Sequence, residues 1–405
     1  MTRDTSGPAE STRRDYVKYG GALLGSGLVA GCTGDGTGDA TATPTDTATE
    51  TATETETAAT DQTATESGDD SYSVEMAPVG TVTFEEPPES VAHYFPGYAD
   101  MAVALGAGDT VNSVGLPSRY HTDHYDELDG VSVDESSITN LVGDAGISKE
   151  LFYELESDLH MIDPVWLVEN GAFKLEQADI DEISSGVAPF LGNTIFRRTD
   201  DWHDYRYYSL YEAFEKVAKV YDAEETFTAF QSFHDEFLAE VQASLPGPDS
   251  RPNALLCWQA KDQPESFYPY RLSGKGTNKK AFRDLGITDA LAQTGIDGLS
   301  ESDRGTIDYE NLLAVDPDSI LLRGHETKSR AEFQDTVVAY MEDHDVASQL
   351  TAVEEGRVFR GGPIYTGPLH HLFLVERYAT SYFPEQFSGE LFDRDELAAI
   401  VTGDA

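Results

Sequence analysis

Residues 143–164 read GDAGISKELFYELESDLHMIDP, and residues 305–326 read GTIDYENLLAVDPDSILLRGHE. In the first, Ser148 is placed to cap a helix running to Leu155, and Leu159 to Ile162 reads as a strand that stops at Asp163-Pro164. The second is another helix–strand unit in the same register. Glu150 stands five residues before Leu155, with Asp158 three beyond; Glu310 stands five before Val315, with Asp318 three beyond. Two copies of one helix–turn–strand unit predict two related α/β lobes. Strands that alternate with helices predict parallel-type sheets flanked by helices.

Around the first copy, Ser90 to Tyr94 reads as a buried strand, Phe95-Pro96-Gly97 as a turn, and Ala99 to Leu105 as a helix stopped by Gly106. A second strand, Val111 to Leu116, leads into the polar and aromatic loop Pro117 to Tyr120. Around the second copy, Ala254 to Trp258 reads as a strand and Lys279 to Leu285 as a helix. Between the copies lies a helical run from Tyr208 to Leu245, broken near Asp222. The resemblance of Asp222-Ala223-Glu224-Glu225 to a capping box splits it into helices over 209–221 and 223–245. Phe227, Phe230, Phe233, Phe237, Leu238 and Val241 recur at three- and four-residue spacing, which gives the second helix one buried face. At ~1.5 Å per residue it is roughly 34 Å long, enough to run the height of both lobes. The expected fold is α/β: two lobes with parallel-type sheets, bridged by a single long helix. Residues 76–207 form the N-terminal lobe, 208–246 the helical bridge and 247–405 the C-terminal lobe.

The chain has 405 residues, which at roughly 150 per domain suits two or three domains. Its formal charge is −47, from 27 Lys and Arg against 74 Asp and Glu. Phosphate binding needs a basic face, so nucleic acid is excluded as a partner. Hydrophobic residues make up 39% of the chain, enough for a substantial core and against wholesale disorder. A surface this acidic is kept soluble in high salt, where its self-repulsion is screened over a few ångströms, which points to a halophile.

The N-terminus points to export. Arg13-Arg14 precede a short, glycine-rich apolar stretch from Tyr19 to Ala30, in the manner of a twin-arginine signal. The stretch is too short and too rich in glycine to span a membrane as a stable helix. It ends in Val29-Ala30-Gly31-Cys32, which resembles a lipobox whose Cys becomes the lipid-modified first residue. Residues 1–32 are therefore expected to be a signal and residues 33–75 a disordered tether. Most of that tether is Thr, Ala, Gly, Asp and Glu, which cannot bury enough apolar surface to offset the entropy of ordering. With Cys32 lipidated, Cys257 has no intramolecular partner; its apolar neighbours Ala254 to Trp258 make it a buried small hydrophobe.

From about residue 76 to 403 the chain resembles the helix-linked substrate-binding proteins of ABC importers, the group that includes binders of iron–siderophore complexes, cobalamin and haem. The stretches that carry the resemblance are GDAGISKELFYELESDL (143–159), IDYENLLAVDPDSILL (307–322) and LTAVEEGRVFRGGPIYTGPLHHLFLVERYATSYFP (350–384). It implies a ligand held between the lobes, with no resident cofactor. It implies a permease with its ATPase as partner, docked by one glutamate on each lobe; the matching positions are Glu150 and Glu310. Ser157 stands where the first lobe would have a proline, whereas Pro317 is present in the second.

Ligand contacts in such a fold come from loops at the carboxyl ends of the strands. In the first lobe these offer Tyr94, Phe95, Tyr98, Arg119, Tyr120 and Trp166, with Arg197, Arg198 and Trp202 on the way to the bridge. In the second they offer Trp258, Tyr268, Tyr270, Arg271, Arg323, His325 and Tyr365. Guanidinium groups pair with carboxylate or hydroxamate oxygens and aromatics supply flat apolar walls, a mix suited to a bulky anionic iron(III) chelate such as a ferric siderophore or ferric citrate. Cobalamin, haem and a bare metal ion are the alternatives. The ten histidines are scattered, and His370-His371 point to different sides of any helix. Ser273 to Thr277 only superficially resembles a phosphate loop: Pro269 stands where the leading Gly belongs, and Gly276 follows Lys275. With no nucleophile elbow and no metalloprotease helix, an enzyme is not expected. The reading is an exported, monomeric binding lipoprotein, anchored through Cys32 on the outer face of the cytoplasmic membrane. A surface-structural protein is the more distant alternative.

Overall fold

The computed structural model describes residues 71–293 and 305–404. The expected signal, Cys32 and most of the tether lie outside these residues. The described structure begins within the range 33–75 expected of the tether, with a strand from Tyr72. Strand β1 (Tyr72–Met76) pairs antiparallel with β2 (Gly80–Phe84), and their alternation buries Val74, Met76, Val82 and Phe84 on one face.

The first lobe runs through β3 (Val91–His93), α1 (Pro96–Ala104), β4 (Val111–Val114), β5 (Thr139–Asn140), α2 (Lys149–Leu155), β6 (Leu159–Met161), α3 (Pro164–Glu169) and α4 (Gln177–Gly186). Its sheet has the order β5-β4-β3-β6, and every pairing is parallel. The turn expected at Phe95-Pro96-Gly97 is instead the first turn of α1. Pro96 suits that position because a helix's first N–H has no intrahelical partner to lose. Gly97 is required there, since a Cβ would stand 2.9 Å from the Thr366 carbonyl oxygen.

The bridge is α5 (Leu210–Val220) and α6 (Glu224–Ser244). They part where the sequence indicates, but not through a capping box at residue 222. Ala223 precedes α6 without a side-chain cap, and the break is made by Asp222 in the left-handed region, at φ 52°. The capping box belongs to α5: Glu212 N–H donates to Ser209 Oγ at 3.2 Å, and Ser209 N–H donates to Glu212 Oε2 at 2.7 Å. Phe227, Phe230, Phe237 and Val241 are buried along α6, with Phe233 and Leu238 half-buried beside them.

The second lobe contains β7 (Asn253–Trp258), β8 (Tyr268–Tyr270), α7 (Lys280–Asp284), β9 (Thr288–Asp289), α8 (Tyr309–Val315), β10 (Ser319–Arg323), α9 (Arg330–Phe333), α10 (Ala339–Asp343), α11 (Thr351–Glu354) and β11 (Val358–Arg360). The sheet order is β11-β10-β7-β8, with β9 also on β7; all pairings are parallel except β7 with β8. Cys257 is buried on β7, and burial pushes its thiol well up.

The two decisive segments fold alike. Helices α2 and α8 end in left-handed residues, Glu156 at φ 46° and Asp316 at φ 41°. Two residues on, each aspartate ties down the strand beside its own. Asp158 Oδ2 accepts from the N–H groups of Glu89 (3.0 Å) and Ser90 (2.9 Å), just before β3. Asp318 Oδ2 accepts from Asn253 N (2.9 Å) and Nδ2 (2.7 Å), at the start of β7. The Ser157 hydroxyl, at the position where the second lobe has Pro317, accepts from Asn112 Nδ2 at 2.8 Å.

Helices α12 (Pro368–Tyr382) and α13 (Arg394–Thr402) carry Leu369, Leu372, Val375, Leu397 and Val401 into the core that also holds α1, α5 and α6. Leu255, Cys257, Ile320, Leu322 and Val358 form a separate core in the second lobe. The joint is specific: buried Asp100 of α1 accepts from Leu369 N (2.9 Å) and His370 N (3.3 Å), so its carboxylate meets the unpaired amides at the start of α12.

Candidate functional site

Strands β3, β4 and β6 present their carboxyl ends to those of β7, β10 and β11, and the loops between build an aromatic seam. Tyr94 and Phe95 follow β3, and Trp166 lies in the first turn of α3 after β6. Phe95 packs 5.5 Å from Trp166 and 5.2 Å from Phe196, and Tyr94 lies 5.9 Å from Trp166. The second lobe answers with Tyr365 from the loop after β11, 5.3 Å from Phe95 and 5.0 Å from Phe196. Burial raises the phenols of Tyr94 and Tyr365, so both stay neutral and keep their O–H donors. The seam is closed: the hollow bounded by Phe95, Ile195, Phe196, Thr277 and Tyr365 holds only about 10 Å³.

Three cations stand at this seam. Arg119, in the turn after β4, reaches across the lobes with its guanidinium 5.6 Å from the Trp258 ring and a 3.5 Å hydrogen bond to the Tyr365 hydroxyl. Arg197 lies 5.2 Å from the Trp166 ring but is already neutralised by Asp200, through bonds of 2.6 and 2.5 Å. Arg198 is exposed over the Tyr207 ring at 4.6 Å. Among the described residues, no carboxylate lies within ion-pair distance of Arg119 or Arg198. Asp163 positions the first-lobe wall. It accepts from Val165 N and Trp166 N at the start of α3, and from Thr194 N, Thr194 Oγ1 and the Tyr205 hydroxyl.

The expected residues divide into two groups. Tyr94, Arg119, Trp166, Trp258 and Tyr365 meet at the seam. Tyr268 sits opposite Trp258 in the β7–β8 ladder, and Trp202 lies 6.2 Å from Trp166 with Arg198 nearby in the chain. The others are not placed as cleft contacts. Tyr98 is buried beneath α1 and donates to the Asn193 carbonyl at 3.0 Å. Tyr120 is buried, with its hydroxyl 3.2 Å from that of Tyr125. Arg271 donates to the Leu291 carbonyl. Arg323 is 1% exposed and is spent on the backbone carbonyls of Gly361 (3.2 Å) and Asn278 (2.6 Å). His325 is buried against Phe333. Chemical type selected these residues, but their hydrogen-bond partners come from distant loops that no local pattern announces. Phe196 was not among the expected residues, although its place directly before Arg197-Arg198 was the available signal.

Beside the seam, loop 121–127 of the first lobe, loop 326–332 of the second, Arg360 and α12 enclose a cavity of about 560 Å³. His370 faces it and stacks on His124 at 4.3 Å, whereas His371 turns away to Asp284 at 2.8 Å, as the helical spacing requires. Among the described residues, no three histidine, cysteine or acidic side chains gather to hold a metal ion. No helix among them is long and apolar enough to cross a membrane. Glu150 and Glu310 are both exposed at the second position of their helices, and the Ser148 hydroxyl donates to Glu150 at 2.6 Å.

A family model described as periplasmic binding protein matches residues 91–365. No curated protein matches the chain by sequence. Among solved structures, the chain is similar to the petrobactin-binding protein of Bacillus subtilis, with a TM-score of 0.54 and 14% identity over 77% of this chain and 99% of that one. It is similar to an iron uptake ABC transporter substrate-binding protein of Streptococcus pneumoniae, with a TM-score of 0.52 and 13% identity over 76% and 98%. A siderophore-binding protein bound to two acinetobactin molecules and ferric iron aligns with a TM-score of 0.51 and 16% identity over 77% and 98%. At these identities the likeness is one of fold.

Proposed function

The chain belongs to the periplasmic binding protein family, and on that premise we propose that it captures a ferric chelate between its lobes and delivers it to an ABC importer. The observation that carries this reading is Arg119. In a chain with 74 acidic residues, a guanidinium held between Trp258 and Tyr365, with no carboxylate partner among the described residues, is left to bind the hydroxamate or carboxylate oxygens of a ferric chelate. Arg198 adds a second such charge at the far side of Trp166 and Trp202, and the aromatic seam supplies the apolar walls. The names of the petrobactin-binding and ferric acinetobactin-bound relatives support the same ligand class.

A bulky chelate enters only if the lobes part at the Phe95–Tyr365 contact, so binding is coupled to a change in lobe angle. The exposed glutamates Glu150 and Glu310 then meet the permease, and the energy of transport comes from the ATPase. Export by the twin-arginine route and a lipid anchor at Cys32 would keep the protein beside its permease, with residues 33–70 as the tether and the body a monomer.

Trp166, Trp202 and Trp258 are all the tryptophans of the chain, and all three stand at or beside the seam, so intrinsic fluorescence reports on the cleft. Titrating the full chain in molar KCl with a ferric tris-hydroxamate should quench this emission saturably. Arg119→Ala should weaken the binding by about tenfold, equivalent to ~1.4 kcal/mol. An unquenched, non-saturating titration of the unaltered protein would refute the proposal.

A further inference from the structure

The cavity of about 560 Å³ beside the seam is lined from both lobes, and its charges do not balance internally. Most have partners. Arg377 of α12 donates to Glu326 at 2.6 Å, and the other Glu326 oxygen accepts from Gly362 N at 3.0 Å. Arg394 holds Glu376 at 2.6 Å and Glu127 at 3.3 Å, and Lys328 pairs with Asp262 at 3.2 Å. Three charges have no ion-pair partner among the described residues; one of them, Glu332, is held by the Ser329 N–H at 2.7 Å, and the other two, of opposite sign, are Arg360 and Asp123. Arg360 donates to the Lys328 carbonyl, and among the described residues no carboxylate lies within 4.0 Å of its guanidinium. Asp123, on the opposite lobe, has no cation among them within that distance. The Asp123 charge acts on the Arg360 guanidinium without an ion pair between them, and His121 stands near Asp123 and Glu326.

A multiply charged anion is a poor occupant. Asp123, Glu127, Glu326, Glu332 and Glu376 outnumber Lys328, Arg360 and Arg377 around the wall, so each further negative charge meets repulsion in a partly desolvated space. A neutral ligand leaves Arg360 and Asp123 without counter-charges. A group carrying one carboxylate and one ammonium satisfies both, with the carboxylate on the Arg360 fork and the ammonium toward Asp123.

We infer that the captured chelate carries a zwitterionic amino-carboxylate arm that seats in this cavity and bridges Asp123 of the first lobe to Arg360 of the second. The inference rests on the ferric-chelate reading and narrows it: ferric citrate, which has carboxylates and no amine, is disfavoured. Because the arm joins one charge from each lobe, its binding favours the closed arrangement.

The inference is tested by calorimetry on the full chain in molar KCl with two probes. One is a ferric tris-hydroxamate ending in a free α-amino carboxylate, and the other is the same chelate with that amine acetylated. The free arm should bind about threefold more tightly, the modest gain expected of one ion pair to an exposed carboxylate in high salt. Asp123→Asn should abolish the preference by weakening the free-arm chelate alone, and Arg360→Gln should weaken both probes. Asp123 is exposed, so its variant does not threaten folding. Equal affinity for the two probes in the unaltered protein overturns the zwitterionic arm and leaves the chelate reading intact. A preference that survives Asp123→Asn also overturns it. No binding of either probe overturns both readings together.

Discussion

At the scale of single residues, the clearest consequence concerns two histidines inside the first sheet. His93 on β3 and His160 on the adjacent β6 are fully buried, on opposite faces of the sheet, and burial lowers their pKa values to about 3 and about 4. In the unfolded chain each titrates near 6.5, so below that pH the unfolded state binds protons that the folded state refuses. Stability contributed by the neutral rings is present above about 6.5 and is lost as pH falls, at up to about 1.4 kcal/mol per pH unit for each histidine. Between about pH 6.5 and 5, before the carboxylates titrate, the urea midpoint in molar KCl should drop steadily, and His160→Leu should make that slope shallower. An unchanged slope in the variant would mean that His160 takes up its proton in the fold as readily as in the unfolded chain. Residue type was a partial guide to such positions. Arg119 and Arg323 look alike in sequence, at the end of a strand in each lobe. One meets Trp258 across the cleft, and the other is claimed by two carbonyls that only the folded loops bring near.

At the scale of elements, the duplicated helix–turn–strand unit was legible because its determinants are local. A left-handed residue ends each helix, and an aspartate two positions on fastens the neighbouring strand. Asp318→Ala removes the acceptor for two donors of Asn253, and the loss should lower stability by about 1–3 kcal/mol in urea unfolding. A midpoint equal to that of the unaltered protein would show that Asp318 is incidental to the start of β7. The break between α5 and α6 was equally visible, although a left-handed Asp222 makes it and no side chain caps α6. The destination of α12 was not legible. Its apolar residues announce burial, but only Asp100 at its N-terminus, far away in sequence, shows that it returns to α1.

At the scale of the whole molecule, α6 and the α1–α12 joint restrain the two lobes, so ligand binding should change their angle modestly. On the proposed reading, the exposed pair Glu150 and Glu310 would then report the closed arrangement to the permease. Charge reversal of both, Glu150→Lys with Glu310→Lys, should abolish iron uptake in cells while leaving chelate affinity unchanged, because both side chains are exposed on their helices and make no contact with the seam residues. Uptake at the unaltered rate would remove them from docking. The ligand is tested most directly by one titration series on the full chain in molar KCl. Tryptophan emission is followed against a ferric tris-hydroxamate, with cobalamin, haem and zinc as comparisons. A ferric-chelate binder gives saturable one-to-one quenching by the hydroxamate complex, weakened by Arg119→Ala. Saturation by zinc or a macrocycle with no response to the ferric complex would contradict it.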